Sequence, residues 1–228
     1  MSHRDHALAS NSCRYCREAV RRAITRWSNS NRRNLPWRRN GRSSYALVLA
    51  EVLLQQTRAE NVAAVFEAIT SRCPDWPELA AISVPELQDL LRPLGLHRRR
   101  ATTLHELAMA VLDRGALPIG AAELQKLPGL GQYMARAIAA QLHGERVAPV
   151  DVNVARVLER VFGPRELVDI RYDPYLQQLA ESMMPARDPG GYLMALLDFA
   201  ASVCSARSPH CRECPVRRCR YAAEIGTR

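Results

Sequence analysis

Apolar positions along the chain recur at helical rather than strand spacing. Val20, Ile24 and Trp27 fall on one side of a first helix, which the Asn-Leu-Pro-Trp sequence at residues 34–37 interrupts. A glycine- and serine-containing capping segment then precedes an apolar helix over residues 45–56. Further helices are predicted near residues 60–69, 85–91, 98–112, 121–126, 132–142, 152–161, 174–184 and 192–203. Because no sustained alternation of period two is present, the sequence predicts an all-α protein.

The charge balance of the chain favours a polyanionic partner. The 228 residues include 32 Lys+Arg and 23 Asp+Glu, giving a net charge of +9, and 47% are hydrophobic, which is enough to fill a core. Lys126 is the only lysine, so any mechanism that needs a lysine amine has one candidate. Charge alone leaves nucleic acid, an acidic membrane surface or no polyanionic partner open. No apolar run reaches the roughly 20 residues of a membrane span, and residues 1–5 lack the apolar core of a secretory signal. We therefore expect a cytoplasmic protein with no membrane partner, nucleoid-associated if prokaryotic.

A glycine-containing turn separates two predicted helices near the middle of the chain. Its sequence is Leu-Pro-Gly-Leu-Gly at residues 127–131, and the second helix begins at Gln132. Two glycines one residue apart allow positive φ and close approach of another chain, and the first turn of the following helix presents backbone N–H groups. Such a turn suits a phosphate oxygen. A tight turn between packed helices, with no ligand, is the alternative.

A single aspartate opens the next predicted helix. Asp151 lies eighteen residues after Tyr133, in the run PVDVNVARV at residues 149–157. An aspartate in this position is a typical helix N-cap. It is also an ionised carboxylate at a helix N-terminus, as a group that stabilises a developing cation must be. The residues themselves allow both interpretations.

Four segments together resemble the helix-hairpin-helix DNA glycosylases of the endonuclease III superfamily, in the branch with adenine glycosylases and thymine (or uracil)–guanine mismatch glycosylases. The resemblance runs from about Asn34 to Tyr221 and rests on residues 35–38 (LPWR), 49–57 (LAEVLLQQT), 127–131 (LPGLG) and 150–157 (VDVNVARV). It implies a six-helix barrel domain over residues 44–145 that contains the hairpin. Residues 14–43 and 146–228 would form a second helical domain with an iron–sulfur loop at 204–219. The implied partner is double-stranded DNA with a mispaired or damaged base, bound by a monomer.

The resemblance also implies how the DNA would be held. An enzyme that cuts the bond between base and sugar must first extrude the nucleotide from the duplex. The hairpin residues Gly129, Leu130 and Gly131 would hold backbone phosphates, and Gln56 would fill the gap left by the extruded base. A solvated helix end is the alternative interpretation of Gln56.

Two carboxyl groups would carry the chemistry, as in glycoside hydrolysis. By the resemblance, Asp151 stabilises the oxocarbenium-like sugar and helps to position or deprotonate water, and Asn153 orders Asp151. Glu51 would protonate the departing base or order water, and burial in an apolar helix would raise its pKa for that role. Glu51 is equally compatible with a polar helix face that includes Gln55 and Arg58.

The residue at position 133 decides the predicted reaction type. Members of this superfamily that also nick the strand have a lysine there, which forms a Schiff base with the sugar. Tyr133 cannot form one and is expected at the pocket edge near the sugar, while Lys126 lies before the hairpin turn. We therefore predict a monofunctional glycosylase with no lyase activity. A non-catalytic DNA-binding module and an endonuclease III-like lyase are the competing hypotheses.

A cysteine-rich segment near the end of the sequence predicts a metal site. Its ligands would be Cys204, Cys211, Cys214 and Cys219, in the pattern Cys-x6-Cys-x2-Cys-x4-Cys. Four thiolates suit a [4Fe–4S] cluster or, alternatively, structural zinc. The resemblance favours the cluster, although the family has five residues before its last cysteine and this chain has four. Cys13 and Cys16 are weak evidence of a metal, and Cys73 is expected to be a buried thiol.

Two branches of the family compete for the substrate. Glu51, Tyr133, Asp151 and residues 55–57 are compatible with an adenine glycosylase acting opposite guanine or oxidised guanine. The sequence, however, continues for only nine residues after Cys219, without the C-terminal domain that adenine glycosylases use to read oxidised guanine. Further segments are closer to the short mismatch glycosylases, namely residues 94–101, 189–191 and 197–200, although glutamines stand at 55 and 56 where arginines are expected. The favoured substrate is therefore thymine or uracil opposite guanine.

Overall fold

The computed structural model describes residues 11–39 and 41–227, with side chains from Arg14 onward, and this part of the chain contains no β-strand. The prediction of an all-α protein is confirmed. The α-helices are α1 (Asn11–Ser28), α2 (Ser44–Leu53), α3 (Ala59–Arg72), α4 (Trp76–Ala81), α5 (Val84–Leu91), α6 (His97–Asp113), α7 (Ala121–Leu124), α8 (Gln132–His143), α9 (Val152–Phe162), α10 (Pro174–Met183), α11 (Pro189–Ser202) and α12 (Arg220–Glu224). Short 3₁₀ turns cover Pro36–Arg38 and Arg92–Leu94.

The chain divides into two compact units. One is formed by residues 34–143, and the other by the residues before 34 together with those from Gly144 onward. Helices α2 to α8 belong to the first unit, and α1 with α9 to α12 belong to the second. The domain limits of 44–145, and of 14–43 with 146–228, stay predictions.

The unit of residues 34–143 has a core of aliphatic side chains with aromatic pairs packed among them. Phe66 of α3 is fully buried and meets Trp37 edge-to-face, with ring centroids 5.4 Å apart. Leu49 and Leu53 of α2 are also fully buried. Tyr45 donates a hydrogen bond from its hydroxyl to the Cys73 carbonyl at 2.7 Å, and burial raises the pKa of that hydroxyl. The N-terminal end of α2 is therefore tied to the C-terminal end of α3.

The other unit packs α1 against α11. Ile24 is fully buried, and Trp27 meets Phe199 edge-to-face at 5.6 Å, so the predicted stripe of α1 is the face that packs. Arg33 donates to the fully buried carboxylate of Asp198 at 2.6 Å. A buried carboxylate needs such a partner, because desolvation otherwise disfavours its charge. This ion pair holds the segment after α1 to α11.

Helix starts follow local sequence more closely than helix ends do. Side-chain caps begin α2 at Ser43, α9 at Asp151 and α10 at Asp173, as expected for these residue types. Helix α2, predicted to continue to Gln56, ends at Leu53 because Gln56 adopts the left-handed conformation with a φ of 53°. None of the described helices combines the length and apolar character that crossing a membrane requires.

Candidate active-site residues

The hairpin between α7 and α8 contains two glycines, of which one has no room for a side chain and the other has free space around it. Gly129 has a φ of 74°, and a Cβ at this position would lie 2.1 Å from Cγ2 of Thr103. A Cβ on Gly131 would meet no heavy atom within 4 Å. Leu130 between them is buried. The turn thus combines a tight internal packing contact with a small, open residue at the start of α8, where backbone N–H groups lack helical partners.

The segment that follows α2 contacts this hairpin through Gln55. Its side-chain amide donates to the Met134 sulfur at 3.1 Å and lies 3.5 Å from the Gly129 carbonyl oxygen. Gln56 is exposed and left-handed, a conformation that is uncommon for residues other than glycine. The predicted gap-filling residue therefore protrudes from a segment that touches the predicted phosphate-binding turn.

A buried arginine forms hydrogen bonds with the same segment. Arg100 of α6 is 3% exposed, and its guanidinium donates to the Gln55 carbonyl and the Thr57 hydroxyl. It also donates to the carbonyls of Leu94 and Gly95, at 2.9 and 2.7 Å. All four acceptors are neutral oxygens, and burial lowers the pKa of Arg100.

Glu51 is buried on α2 and contacts a residue that the sequence analysis did not single out. Its carboxyl is part of a side chain 9% exposed, and Oε1 accepts a hydrogen bond from the Gln141 side-chain amide at 2.8 Å. Gln141 belongs to α8 of the same unit. The alternative of a solvated polar face does not describe Glu51, because its side chain is removed from water, whereas Gln55 in the segment after α2 is exposed.

Asp151 caps α9, and its carboxylate is oriented by three hydrogen bonds. Oδ1 accepts from the backbone N–H of Asn153 at 2.9 Å and of Val154 at 2.8 Å. Oδ2 accepts from the Asn153 side-chain amide at 2.8 Å. A carboxylate offers about four acceptor positions, so Oδ2 keeps one for a further partner. The N-cap interpretation is therefore confirmed, and the catalytic interpretation of the same carboxylate stays a prediction.

A chain of side chains connects Asp151 to the cysteine-rich segment. Arg156 donates to the Asn153 side-chain oxygen at 3.0 Å and to the carbonyls of Ala200 and Cys204, each at 2.9 Å. Burial lowers the pKa of Arg156, since it disfavours the charged form. Asn153 thus donates to Asp151 while it accepts from Arg156, which fixes the orientation of its amide.

Tyr133 and Lys126 differ in position and in surroundings. Tyr133 is half-buried in the first turn of α8. Lys126 lies in the turn after α7, is largely exposed, and forms an ion pair with Glu123. The only amine of a lysine side chain is therefore engaged at the protein surface, on the other side of the hairpin turn from Tyr133.

The four cysteines of the loop line one cavity with apolar walls, which include Phe199 and Val216. Arg160 of α9 also lines this cavity. Its guanidinium donates to the loop carbonyls of Ser205 at 2.7 Å and Ala206 at 2.9 Å and stacks over the Tyr221 ring at 4.7 Å. Four thiol donors around one cavity are the donor type that a thiolate-bound metal group uses.

The sulfur atoms are not arranged as a finished coordination sphere. Within residues 11–39 and 41–227 no three Cys, His, Asp or Glu side chains are placed to hold a metal ion. The Cys219 thiol instead points to the Arg160 carbonyl at 3.3 Å, and burial raises the pKa of the Cys204 thiol against the opposing effect of Arg160. Cys73 is fully buried as predicted. The side chain of Cys13 lies outside the described residues.

A family model matches much of the chain, including both the hairpin and Asp151. It is the model of the HhH-GPD superfamily base excision DNA repair proteins, and it covers residues 49–183. The chain belongs to this superfamily. It is a base excision DNA glycosylase, an enzyme that hydrolyses N-glycosidic bonds, and the resemblance stated from the sequence is confirmed.

Relatives in two branches of the superfamily are about equally similar to this glycosylase. A thymine-DNA glycosylase of Aeropyrum pernix is 34% identical over 87% of this chain and 92% of its own length. A thymine/uracil-DNA glycosylase of Methanothermobacter thermautotrophicus is 30% identical over 90% of this chain and 93% of its own length. An adenine DNA glycosylase of Mycolicibacterium smegmatis is 35% identical over 86% of this chain and 67% of its own length.

Solved structures agree with the family assignment. A thermostable thymine-DNA glycosylase superimposes with a TM-score of 0.87 at 28% identity, covering 94% of this chain and all of that one. A non-covalent endonuclease III–DNA complex superimposes with a TM-score of 0.76 at 23% identity over the full length of both chains, which shows the shared fold.

Within each unit of this glycosylase, the structure brings together some of the predicted site residues. It places Gln55 on the hairpin, and it places Asn153 on Asp151. Sequence reasoning missed three residues that fix their neighbours: Arg100, Gln141 and Arg156. Arg100 and Arg156 belong to two of the runs that carried the resemblance, residues 94–101 and 150–157, which was the one available signal for them. Gln141 contacts a partner ninety positions away, so no local pattern could have found it.

Proposed function

We propose that this enzyme is a monofunctional glycosylase that removes thymine or uracil paired with guanine. The observation that carries the proposal is the superposition on a thermostable thymine-DNA glycosylase, with a TM-score of 0.87 and complete coverage of that chain. The 34% identity to a second protein of that name in Aeropyrum pernix supports the same substrate.

Asp151 is the group that stabilises the reacting sugar. Breaking the N-glycosidic bond builds positive charge on the deoxyribose, and an ionised carboxylate opposite that charge lowers the barrier. Three donors already orient the Asp151 carboxylate, so little reorganisation is needed as charge develops. The remaining acceptor position on Oδ2 serves the sugar or takes a proton from the attacking water.

Nucleotide extrusion depends on the hairpin and the segment after α2. The turn at Gly129, Leu130 and Gly131 holds backbone phosphates through the N–H groups that begin α8, and Gln56 fills the space left in the duplex. Glu51, buried and bonded to Gln141, protonates the departing base or orders water near it. Tyr133 borders the sugar at the position where strand-cleaving relatives have a lysine.

Excision therefore leaves an abasic site in an intact strand. A Schiff base needs an unprotonated amine close to the sugar C1′ atom. Tyr133 has none, and the amine of Lys126 is paired with Glu123 at the surface. Water is then the nucleophile that completes the reaction.

The cysteine loop is proposed to hold a [4Fe–4S] cluster through Cys204, Cys211, Cys214 and Cys219, with structural zinc as the alternative. The shared cavity and the thiol donor set support this assignment. Such a group would staple the loop whose backbone Arg160 already binds. Metal analysis of the purified protein distinguishes the two metals, because four irons with acid-labile sulfide indicate the cluster and one zinc indicates the alternative. The cytoplasmic location remains a prediction.

The substrate is tested with a panel of labelled duplexes that contain T·G, U·G, A·G or A·oxidised-G pairs. Each duplex is incubated with the enzyme and divided, and only one half is treated with alkali to break abasic sites. The proposal predicts cleavage of the T·G and U·G duplexes in the alkali-treated halves alone. Cleavage without alkali would show a lyase, and intact DNA in every lane with binding retained would show a non-catalytic module.

Adenine excision is the second candidate, because the Mycolicibacterium smegmatis adenine glycosylase is 35% identical to this chain. The same panel separates the two substrates. Alkali-dependent cleavage confined to the A·G and A·oxidised-G duplexes would establish the adenine activity in place of the proposed one.

A further inference from the structure

A cleft unrelated to the proposed catalytic residues lies in the unit formed by residues 11–33 and 144–227. Its volume is about 420 Å³, within the range of small-molecule binding sites. One wall is the C-terminal half of α1 with the residues that follow it, and the other is the segment before α11 with the first turn of that helix. Neither Asp151 nor the cysteine loop contributes to it.

The cleft is strongly basic. Five arginines line it, with Asp188 as the single acidic lining residue. The arginines are Arg21, Arg22, Arg26, Arg32 and Arg187. None of the five forms an ion pair with a carboxylate in the part of the chain that the structure describes. Guanidinium groups present two parallel donors to a phosphate, so this lining is suited to a phosphoanion.

A buried polar atom in the same cleft lacks a partner. Tyr192 lines the cleft, is 3% exposed, and its hydroxyl has no hydrogen-bond partner. Leaving a buried hydroxyl unsatisfied destabilises a protein, so native structures seldom retain such a group without a function for it. Burial raises the pKa of this hydroxyl, and Arg21 acts electrostatically in the opposite direction. The phenol is thus a neutral donor that lies within electrostatic reach of Arg21.

The local backbone presents the start of α11 toward this lining. Asp188 has a φ of 52° and caps the helix by accepting from the Gly191 N–H at 2.8 Å. A Cβ on Gly191 would lie 2.0 Å from an Asp188 carboxylate oxygen, so this close approach requires glycine. The Asp188 carboxylate is therefore used by the helix cap, and the N-terminal end of α11 adds positive potential to that of the arginines.

We propose that this cleft binds a small phosphoanion with two adjacent phosphate groups, the diphosphate class. Two phosphates use the paired guanidinium groups on α1 and Arg187 on the facing wall. An oxygen brought beside Tyr192 gives the orphaned hydroxyl an acceptor. A concave site of about 420 Å³ matches a small ligand in size, whereas a duplex backbone is matched by a broader surface. The proposal is independent of which base the enzyme excises.

Titration calorimetry with inorganic pyrophosphate tests the proposal on the full chain. We expect one-to-one binding that is at least about ten-fold tighter than binding of sulfate at the same ionic strength, because a second phosphate adds a further set of charge-assisted hydrogen bonds. The Arg22→Gln/Arg26→Gln double variant should lose most of this affinity. Tyr192→Phe should weaken binding roughly ten-fold while leaving the protein folded, since the hydroxyl has no partner to lose.

The matched control is Arg98→Gln/Arg99→Gln, which removes the same charge from exposed positions on α6 of the other unit. It should bind pyrophosphate as the unaltered protein does. Equal losses in both double variants would show that net charge alone attracts the anion, and unchanged affinity in Tyr192→Phe and in the Arg22/Arg26 variant would place it elsewhere. Competitive displacement of pyrophosphate by an undamaged duplex would assign the cleft to DNA phosphates. Each of these three results overturns the proposal.

Discussion

Replacing Arg100 tests how the segment after α2 is held in its unusual conformation. The Arg100→Met variant keeps the approximate length of the side chain but removes the donors to Gln55, Thr57, Leu94 and Gly95. Leu94 is buried, so its carbonyl is the acceptor that water reaches least.

Two contributions set the size of the effect. An unsatisfied buried carbonyl costs about 1–3 kcal/mol, and we expect the free energy of unfolding to fall by about that amount. The left-handed conformation of Gln56 costs about 1–2 kcal/mol, which Arg100 offsets through the Gln55 carbonyl and the Thr57 hydroxyl. Without Arg100, the fraction of molecules in which Gln56 is left-handed should fall by roughly 5- to 30-fold.

Two measurements separate these contributions. Chemical denaturation reports the free energy of unfolding, and single-turnover excision from a T·G duplex reports the population of the competent segment. Arg99→Met on the exposed side of the same helix is the control and should match the unaltered protein in both. If Arg100→Met does not fold, Arg100→Lys serves instead, because it keeps the charge but loses the planar fork. An excision rate equal to that of the Arg99 control in a folded Arg100 variant would refute the reasoning.

The remaining predictions concern the hairpin, one core and the lysine. Gly129→Ala should destabilise the enzyme by about 1–3 kcal/mol in denaturation, since its Cβ collides with Thr103 at positive φ, whereas Gly131→Ala should unfold as the unaltered protein does. An equal loss in the two variants would contradict the geometry. Phe199→Ala should cost about 3–5 kcal/mol in the same assay, because a fully buried ring is removed, and a loss below about 1 kcal/mol would show that the site collapses around the cavity. Lys126→Ala should leave the single-turnover excision rate unchanged, and loss of turnover would assign the amine a chemical role.

The features that sequence predicted well are those determined by neighbouring residues. Asp151 and Asn153 are two positions apart, and both the helix cap and the amide contact follow from that spacing. The burial of Ile24 on the packing face of α1 follows from helical periodicity. Local patterns suffice in these cases because every participating atom belongs to one or two turns of the chain.

The features that sequence missed depend on contacts between distant residues. Helix α2 was predicted to continue through Gln56, but Arg100 binds the adjoining backbone and helps to hold the left-handed turn. Gln141 reaches Glu51 across ninety positions. Helices α4 and α12 are short, and their patterns were too brief to recognise. Tertiary partners, not local propensity, decide these parts of the structure.

The cysteine loop shows a different limit. Spacing alone identified four residues that the structure places around one cavity. It could not specify which metal they bind, because iron–sulfur clusters and zinc accept the same four thiolates. The cavity walls and the contacts of Arg160 support the loop. The spacing of the four cysteines does not determine the identity of the metal.

Single-turnover excision by Asp151→Asn tests the central claim most directly. Asparagine caps helices about as well as aspartate, so the variant should fold normally and bind a T·G duplex with unchanged affinity. It lacks the negative charge that stabilises the developing cation, and we predict no alkali-sensitive sites where the unaltered enzyme produces them. Base release by Asp151→Asn at the rate of the unaltered enzyme would contradict the account.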